Sequence, residues 1–199
     1  YAKQMARHLG PEVFLIEYGS GSSLKTRVLL DALVDPVAYV PIDISRDALF
    51  SSAEAIAKQY PELTVLPQCA DYLASLSLPH STRTFRRRIV YFPGSTIGNF
   101  VPSDAVDFLT RMAHQVGAGG GVLIGLDLKK DTATLERAYD DERGVTAAFN
   151  MNLLVRLNRE LDANFLASQF RHEARWNALE GRIEMHLVCT EACRVTLGG

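Results

Sequence analysis

"IEYGSGSSLKT", residues 16–26, is the stretch on which the reading of the fold turns. The apolar run Val13-Phe14-Leu15-Ile16 leads into it, and an acid, Glu17, stands just before two glycines that alternate with serines. An apolar run, a Gly-Ser-Gly turn and then Leu24-Lys25 predict a strand that turns tightly into a helix. Gly19 and Gly21 let the backbone adopt positive φ and let a ligand come close. The helix N-terminus beyond them offers unpaired N–H groups to an anion.

Outward from this turn the same rhythm repeats. Val13–Glu17 reads as a strand, Leu24–Leu33 as a helix and Ala38–Ile44 as a second strand. Ser45 is a candidate N-cap for a helix whose apolar residues Leu49, Ala53, Ile56 and Ala57 recur at helical spacing. Thr64–Cys69 reads as a third strand and Arg88–Phe92 as a fourth. A helix opening at Pro102-Ser103 carries Val106, Leu109, Met112, Ala113 and Val116 along one stripe, and Val122–Leu128 reads as a fifth strand. Such alternation predicts an α/β fold, a mostly parallel sheet with helices on both faces. The region 132–168 breaks the rhythm with helical sequence longer than a crossover needs, and reads as an inserted substrate lobe on a core of residues 1–131. Phe170–Trp176 and Arg182–Thr190 read as an antiparallel hairpin, so that residues 169–199 are expected to complete the sheet.

The 199 residues carry 21 basic and 23 acidic side chains, a net charge of −2. That balance argues against a nucleic-acid partner, which calls for a basic excess on one face. The run Arg86-Arg87-Arg88 reads as a solvated loop edge before a strand. No apolar stretch reaches the length needed to span a bilayer, and no signal-peptide pattern appears. Three cysteines without a CxxC suit a reducing, cytoplasmic setting. The spacing of His186, Cys189 and Cys193 along a strand puts them on different faces, so no metal site is expected. Tyr1 in first place suggests an N-terminus cut away or left out.

In an open parallel sheet, ligands bind at the carboxyl ends of the strands near the switch point. A dinucleotide and a nucleoside bearing an amino acid both suit a glycine turn there. The dinucleotide fingerprint calls for a third small residue where this chain has Leu24. Asp43, ending the second strand, can accept hydrogen bonds from ribose hydroxyls. Asp71-Tyr72, ending the third, offers a carboxylate and an aromatic face to an adenine. Asp43 and Asp71 could each be simple helix caps, but carboxylates ending consecutive strands beside a glycine turn favour an adenosyl ligand. With Glu17 and the terminal hairpin, this looks like a class I S-adenosylmethionine-dependent methyltransferase.

After the fourth strand comes "PGSTIGNF", residues 93–100, where Asn99 offers both an amide donor and a carbonyl acceptor to an amino acid head group. The alternative is that Gly94, Gly98 and Asn99 only shape a loop. "EYGSGSSLKT", "PGSTIGNF", "ERAYDDERGVTAAFNMNLLVRLNRELDANF" and "RIEMHL" closely resemble the histidine-specific Nα-methyltransferase family of ergothioneine biosynthesis, over about Leu9 to Val188. The resemblance implies three methyl transfers from S-adenosylmethionine to L-histidine. It assigns Gly19, Lys25 and Asp43 to the cofactor, and Asp71 and Tyr72 to its adenine side. Asn99 is assigned to the amino acid head with Gly94 lining the same pocket, and Tyr139 to the substrate carboxylate. The family also has an upstream segment with a substrate-facing tyrosine, and an acid and a serine near its C-terminus that recognise imidazole; none of these matches a residue here. Glu184 in "RIEMHL" belongs to the strand before that segment.

Methyl transfer to an amine needs no enzyme nucleophile, so Asn99 is read as a positioning group and no catalytic residue is assigned. A monomer with a small-molecule partner is expected. Two other readings stay open: a methyltransferase for another amino acid or small amine, and a non-catalytic S-adenosylmethionine-binding module.

Overall fold

The computed structural model describes residues 1–74 and 76–198. Contacts divide the chain into two units, Tyr1–Asp127 and Leu128–Gly199.

In the first unit, α1 (Ala2–Leu9) precedes β1 (Val13–Tyr18), α2 (Leu24–Leu30), β2 (Ala38–Asp43) and α3 (Arg46–Gln59). Two short strands follow, β3 (Thr64–Val65) and β4 (Gln68–Cys69), then β5 (Arg87–Phe92), a 3₁₀ turn at Thr96–Asn99, α4 (Pro102–Val116) and β6 (Gly121–Ile124). The sheet is parallel throughout in the order β3-β2-β1-β5-β6, with β4 also on β2. From β1 the chain builds outward through β2, then crosses back to lay β5 on the opposite side. The switch point therefore lies at the carboxyl ends of β1 and β5, where such sheets bind ligands.

β1 is buried along its whole length, as a central strand covered on both faces must be. Its alternate residues enter two cores. Phe14, Ile16 and Tyr18 join Val90, Phe92 and the α4 residues Phe108, Met112 and Val116. Val13 and Leu15 join Leu9 of α1, Leu29 and Leu30 of α2 and Ile56 of α3. The expected arrangement, a parallel sheet with helices on both faces, is what forms.

Several boundaries differ from the sequence reading. The third strand is two bridges rather than one run, because Pro67 has no N–H to give the ladder. The fifth is shorter than Val122–Leu128: after Gly125 donates to the Phe92 carbonyl at 3.0 Å, the Asp127 N–H turns to Ser95 Oγ at 2.8 Å. Helix α2 ends at Leu30 rather than Leu33. Ser45 stands at the N-cap of α3, but its hydroxyl makes no capping bond. Arg87 and Arg88 are half-buried strand residues, not a solvated loop; Arg88 lies over the Phe14 and Phe85 rings.

The second unit holds α5 (Thr132–Tyr139), α6 (Val145–Glu160), a 3₁₀ turn at Ala167–Gln169, and the antiparallel pair β7 (Phe170–Asn177) and β8 (Arg182–Cys189). The hairpin does not complete the parallel sheet. It is a two-stranded sheet of its own, packed on α5 and α6. A lone hairpin is marginal in water, and these helices supply the layer it needs. The strand ends at Cys189, so Cys193 is free to turn back, and the two thiols lie 3.0 Å apart; the His186 ring faces Glu184. Among the described residues no cluster of three metal-ligating side chains occurs, and no helix is long and apolar enough to cross a membrane.

Candidate functional site

The turn after β1 is held from β2. Gly19 N and Ser20 N donate to the Ile42 carbonyl at 2.8 and 3.3 Å, and Gly21 N donates to Asp43 Oδ2 at 3.0 Å. The other carboxylate oxygen, Oδ1, accepts from Ser45 N at 2.9 Å. Asp43 thus fixes the glycine turn and the start of the next helix together, while each oxygen keeps a lone pair for a ligand hydroxyl. Gly19 and Gly21 both need positive φ, at 70° and 49°. A Cβ on Gly19 would come 3.5 Å from the Tyr72 ring, so glycine here keeps open the space beside that ring.

Asp71 follows β4 and accepts from Leu73 N at 2.8 Å through Oδ1, leaving Oδ2 without a protein partner among the described residues. It therefore acts as a turn residue and remains able to bind. The Tyr72 ring stacks on Tyr18 at 5.7 Å and meets Phe92 edge-on at 5.8 Å. Burial, then the charges of Asp71 and Asp43, raise its phenol pKa. Lys25 reaches across to the β5 loop, with Nζ 3.9 Å from where a Cβ on Gly94 would lie. Gly94 has φ 92°. Asn99 is the last residue of the 3₁₀ turn and is exposed, with negative φ, so a left-handed bend does not explain it. Gly19, Lys25, Asp43, Asp71, Tyr72, Gly94 and Asn99 all belong to the first unit; Asp43 ends β2 and the others stand on the segments that follow β1, β4 and β5. A concavity of about 260 Å³, lined by Tyr18, Tyr72, Arg111, His114 and Gln115 among others, shares only Tyr72 with this set. It is a different feature from the glycine turn.

Beneath the turn lies a network that sequence reasoning did not find. Glu17 is 2% exposed on the α2 side of the sheet, where Val13 and Leu15 before it are core. Thr26 Oγ1 of α2 donates to its two oxygens at 2.7 and 2.6 Å, and Tyr39 OH of β2 donates to Oε2. Tyr39 OH meets Ser23 Oγ at 3.2 Å, and Ser52 Oγ of α3 donates to Ser23 Oγ at 3.0 Å. Ser23 is the N-cap of α2 with φ 54°, yet its hydroxyl makes no cap because it serves this chain. Burial raises the Glu17 pKa to about 7, against the two hydroxyl bonds that lower it and with a smaller push from Asp43. Tyr39 is raised too, by burial first and then by Glu17.

Tyr139 belongs to the second unit. It ends α5, and its carbonyl accepts from His172 Nε2 at 2.7 Å. Because a carbonyl can only accept, His172 carries its proton on Nε2, leaving Nδ1 to accept from Asn150 Nδ2 at 3.0 Å. Asn150 also donates to the His186 carbonyl at 3.2 Å, Glu136 accepts from Trp176 N at 3.1 Å, and Asn158 brackets Phe165 N and O at 2.8 Å each. Asp141 accepts from Thr146 N and Val145 N at the start of α6; the Thr146 bonds foremost hold its carboxyl at about 2. Of the polar side chains in "ERAYDDERGVTAAFNMNLLVRLNREL", Glu136, Asp141, Asn150 and Asn158 therefore build this unit.

Whether an adenosyl amino acid suits the first unit can be judged from the turn itself. Ser20 Oγ is buried without a hydrogen-bond partner among the described residues, Gly21 has open space where a Cβ would be, and Asp43 keeps acceptor capacity. These groups fit such a ligand. A parallel sheet with a glycine turn at its switch point and carboxylates at or just past the ends of β2 and β4 is a Rossmann-like arrangement, as in the class I methyltransferases. The chain belongs to the family described as "Histidine-specific methyltransferase, SAM-dependent", whose sequence profile matches residues 1–199. It is 46% identical over 177 residues to a histidine N-alpha-methyltransferase of Mycolicibacterium smegmatis, covering 87% of this chain and 54% of that protein. Against the histidine N-alpha-methyltransferase of Mycobacterium tuberculosis it is 44% identical over 188 residues, covering 92% and 57%. Ergothioneine biosynthesis protein 1 of Neurospora crassa is 31% identical over 168 residues, 79% of this chain and 18% of that one. The chain thus spans about half the length of the two mycobacterial relatives.

Proposed function

We propose that this chain carries the cofactor-binding and amine-positioning part of an enzyme that methylates the α-nitrogen of L-histidine three times. The observation that carries the reading is the 46% identity to a histidine N-alpha-methyltransferase over 87% of this chain. S-adenosylmethionine supplies an electrophilic methyl group on a sulfonium. In this reading Gly19 gives it close backbone access, Asp43 takes the ribose hydroxyls, Asp71 and Tyr72 take the adenine, and Lys25 holds the carboxylate end. In the first two transfers Asn99 accepts a hydrogen bond from the substrate amine and so aims its lone pair. The tertiary amine of the third has no N–H to donate and is placed by the shape of the pocket, where Gly94 leaves room as methyl groups accumulate. Near-attack geometry, with reacting atoms ~3–3.5 Å apart, is the main demand on the protein. Tyr139 is assigned to the substrate carboxylate on resemblance alone.

The test is mass spectrometry of histidine incubated with the full-length protein and S-adenosylmethionine. The expected product carries three methyl groups on the α-nitrogen. No methylated histidine, alongside methylation of another amine, would replace histidine as the substrate.

A further inference from the structure

Glu17 has no part in the chemistry proposed above, yet it is the most unusual group in the first unit. It sits in a core position at the end of β1, and its hydrogen-bond chain runs through Tyr39 and Ser23 to Ser52. Such a chain has a direction. With Glu17 ionised, Tyr39 must donate to it, so Ser23 donates to Tyr39 and Ser52 to Ser23. With Glu17 protonated, the carboxyl can donate to Tyr39 and the order reverses as far as Ser23, the residue that ends the glycine turn. The charged and titratable groups around Glu17 are few. β2 brings Tyr39 and Asp43, and β5 brings Tyr91, whose own pKa Glu17 helps to raise. On α2, Lys25 points toward Gly94 and Arg27 bonds Gln59. Among the described residues nothing cationic offsets Glu17, and Asp43, which fixes the turn, repels it.

We propose that Glu17 is a positioning residue whose carboxyl proton is released when a sulfonium is brought to the glycine turn, so that the turn distinguishes S-adenosylmethionine from its neutral thioether product. Without ligand, burial among the core residues of β1 and α2, with a smaller push from Asp43, favours keeping the proton on Glu17. A fixed positive charge at this end of the sheet offsets the cost of a buried carboxylate and favours the ionised chain Ser52→Ser23→Tyr39→Glu17. The released proton goes to solvent. A thioether carries no such charge and leaves the proton in place. The inference rests on the cofactor assignment made above.

Calorimetric titration of the full-length protein in two buffers of different ionisation enthalpy, between about pH 6 and 8, counts the protons released. S-adenosylmethionine and S-adenosylhomocysteine share the same amino acid and adenosine, so their difference isolates the sulfonium. S-adenosylmethionine is expected to release more protons than S-adenosylhomocysteine. Its affinity should correspondingly gain up to about tenfold per pH unit over that of the thioether, as linkage requires. Glu17→Gln keeps the shape but has no proton to give, and should abolish the difference. Tyr39→Phe removes one donor to the carboxylate and should shift the difference to higher pH, which serves if the glutamine variant does not fold. Equal proton release for the two ligands in the wild-type protein overturns the inference and leaves the cofactor assignment standing. Binding of neither ligand overturns the cofactor assignment itself.

Discussion

Asp43 accepts backbone hydrogen bonds on both carboxylate oxygens, from Gly21 and Ser45, and so joins the turn to the ribose position it is assigned. Asp43→Ala should remove charge-assisted contacts of about 1.5–3 kcal/mol, a ten- to hundredfold loss of S-adenosylmethionine affinity by calorimetry. Unchanged affinity would remove Asp43 from the site. Asn99 is the contrasting case: exposed, with no side-chain bond to the protein among the described residues, it does nothing visible for the fold. Asn99→Ala should leave the melting temperature and cofactor affinity unchanged while raising the KM for histidine or lowering turnover; native kinetics would put the amine elsewhere. At this scale the sequence was informative wherever a polar residue ends a strand, since position along the chain then fixes position at the sheet edge. Glu17 was visible by the same rule. Its partners were not, because Thr26 and Tyr39 lie 9 and 22 residues away and look like ordinary helix and strand residues.

Apart from α1, for which no helix was expected, the strands and helices were legible to within a few residues from apolar periodicity, and the boundary failures have local causes. Pro67 breaks a run that is otherwise β-prone. The hairpin's alternation predicted a pair of strands correctly, but alternation carries no information about which layer covers them, so that they form a sheet of their own was missed. Gly125, just past β6, is a further element-scale feature that sequence pattern leaves unmarked. A Cβ there would lie 2.9 Å from Gly94 N and 3.4 Å from the Pro93 carbonyl carbon. Gly125→Ala must push the β5 loop, at a cost of about 1–3 kcal/mol for overpacking. The variant should melt lower and bind histidine less well, and an unchanged melting temperature would mean the loop yields freely. In the second unit, Asn158→Ala leaves the Phe165 N–H and carbonyl unpaired, and about 1–3 kcal/mol of stability should go with them. Urea unfolding followed by Trp176, the single tryptophan and a residue of that unit, measures it.

At the scale of the whole molecule, one buried carboxyl makes stability depend on pH near neutrality. Glu17 is raised from its ordinary 4.5 to about 7, burial being the leading cause. A group raised on folding contributes stability that is present in full below its unfolded value and is lost as pH rises through its folded value. At about 1.36 kcal/mol per pKa unit, the stability lost between pH 4.5 and somewhat above 7 is on the order of 3 kcal/mol. The contribution is isolated by difference. Glu17→Gln stays neutral at every pH, so the variant should gain on the wild type as pH rises and the gap should level off above pH 8. Denaturant unfolding of ligand-free protein by circular dichroism, at closely spaced pH values from 5 to 8.5, gives the two curves. Parallel curves would mean that Glu17 is ionised in the folded protein throughout, with Thr26 and Tyr39 sufficient to hold the charge. Added S-adenosylmethionine should reduce the gap at high pH, because a cation that stabilises the Glu17 carboxylate removes the penalty that the glutamine variant avoids.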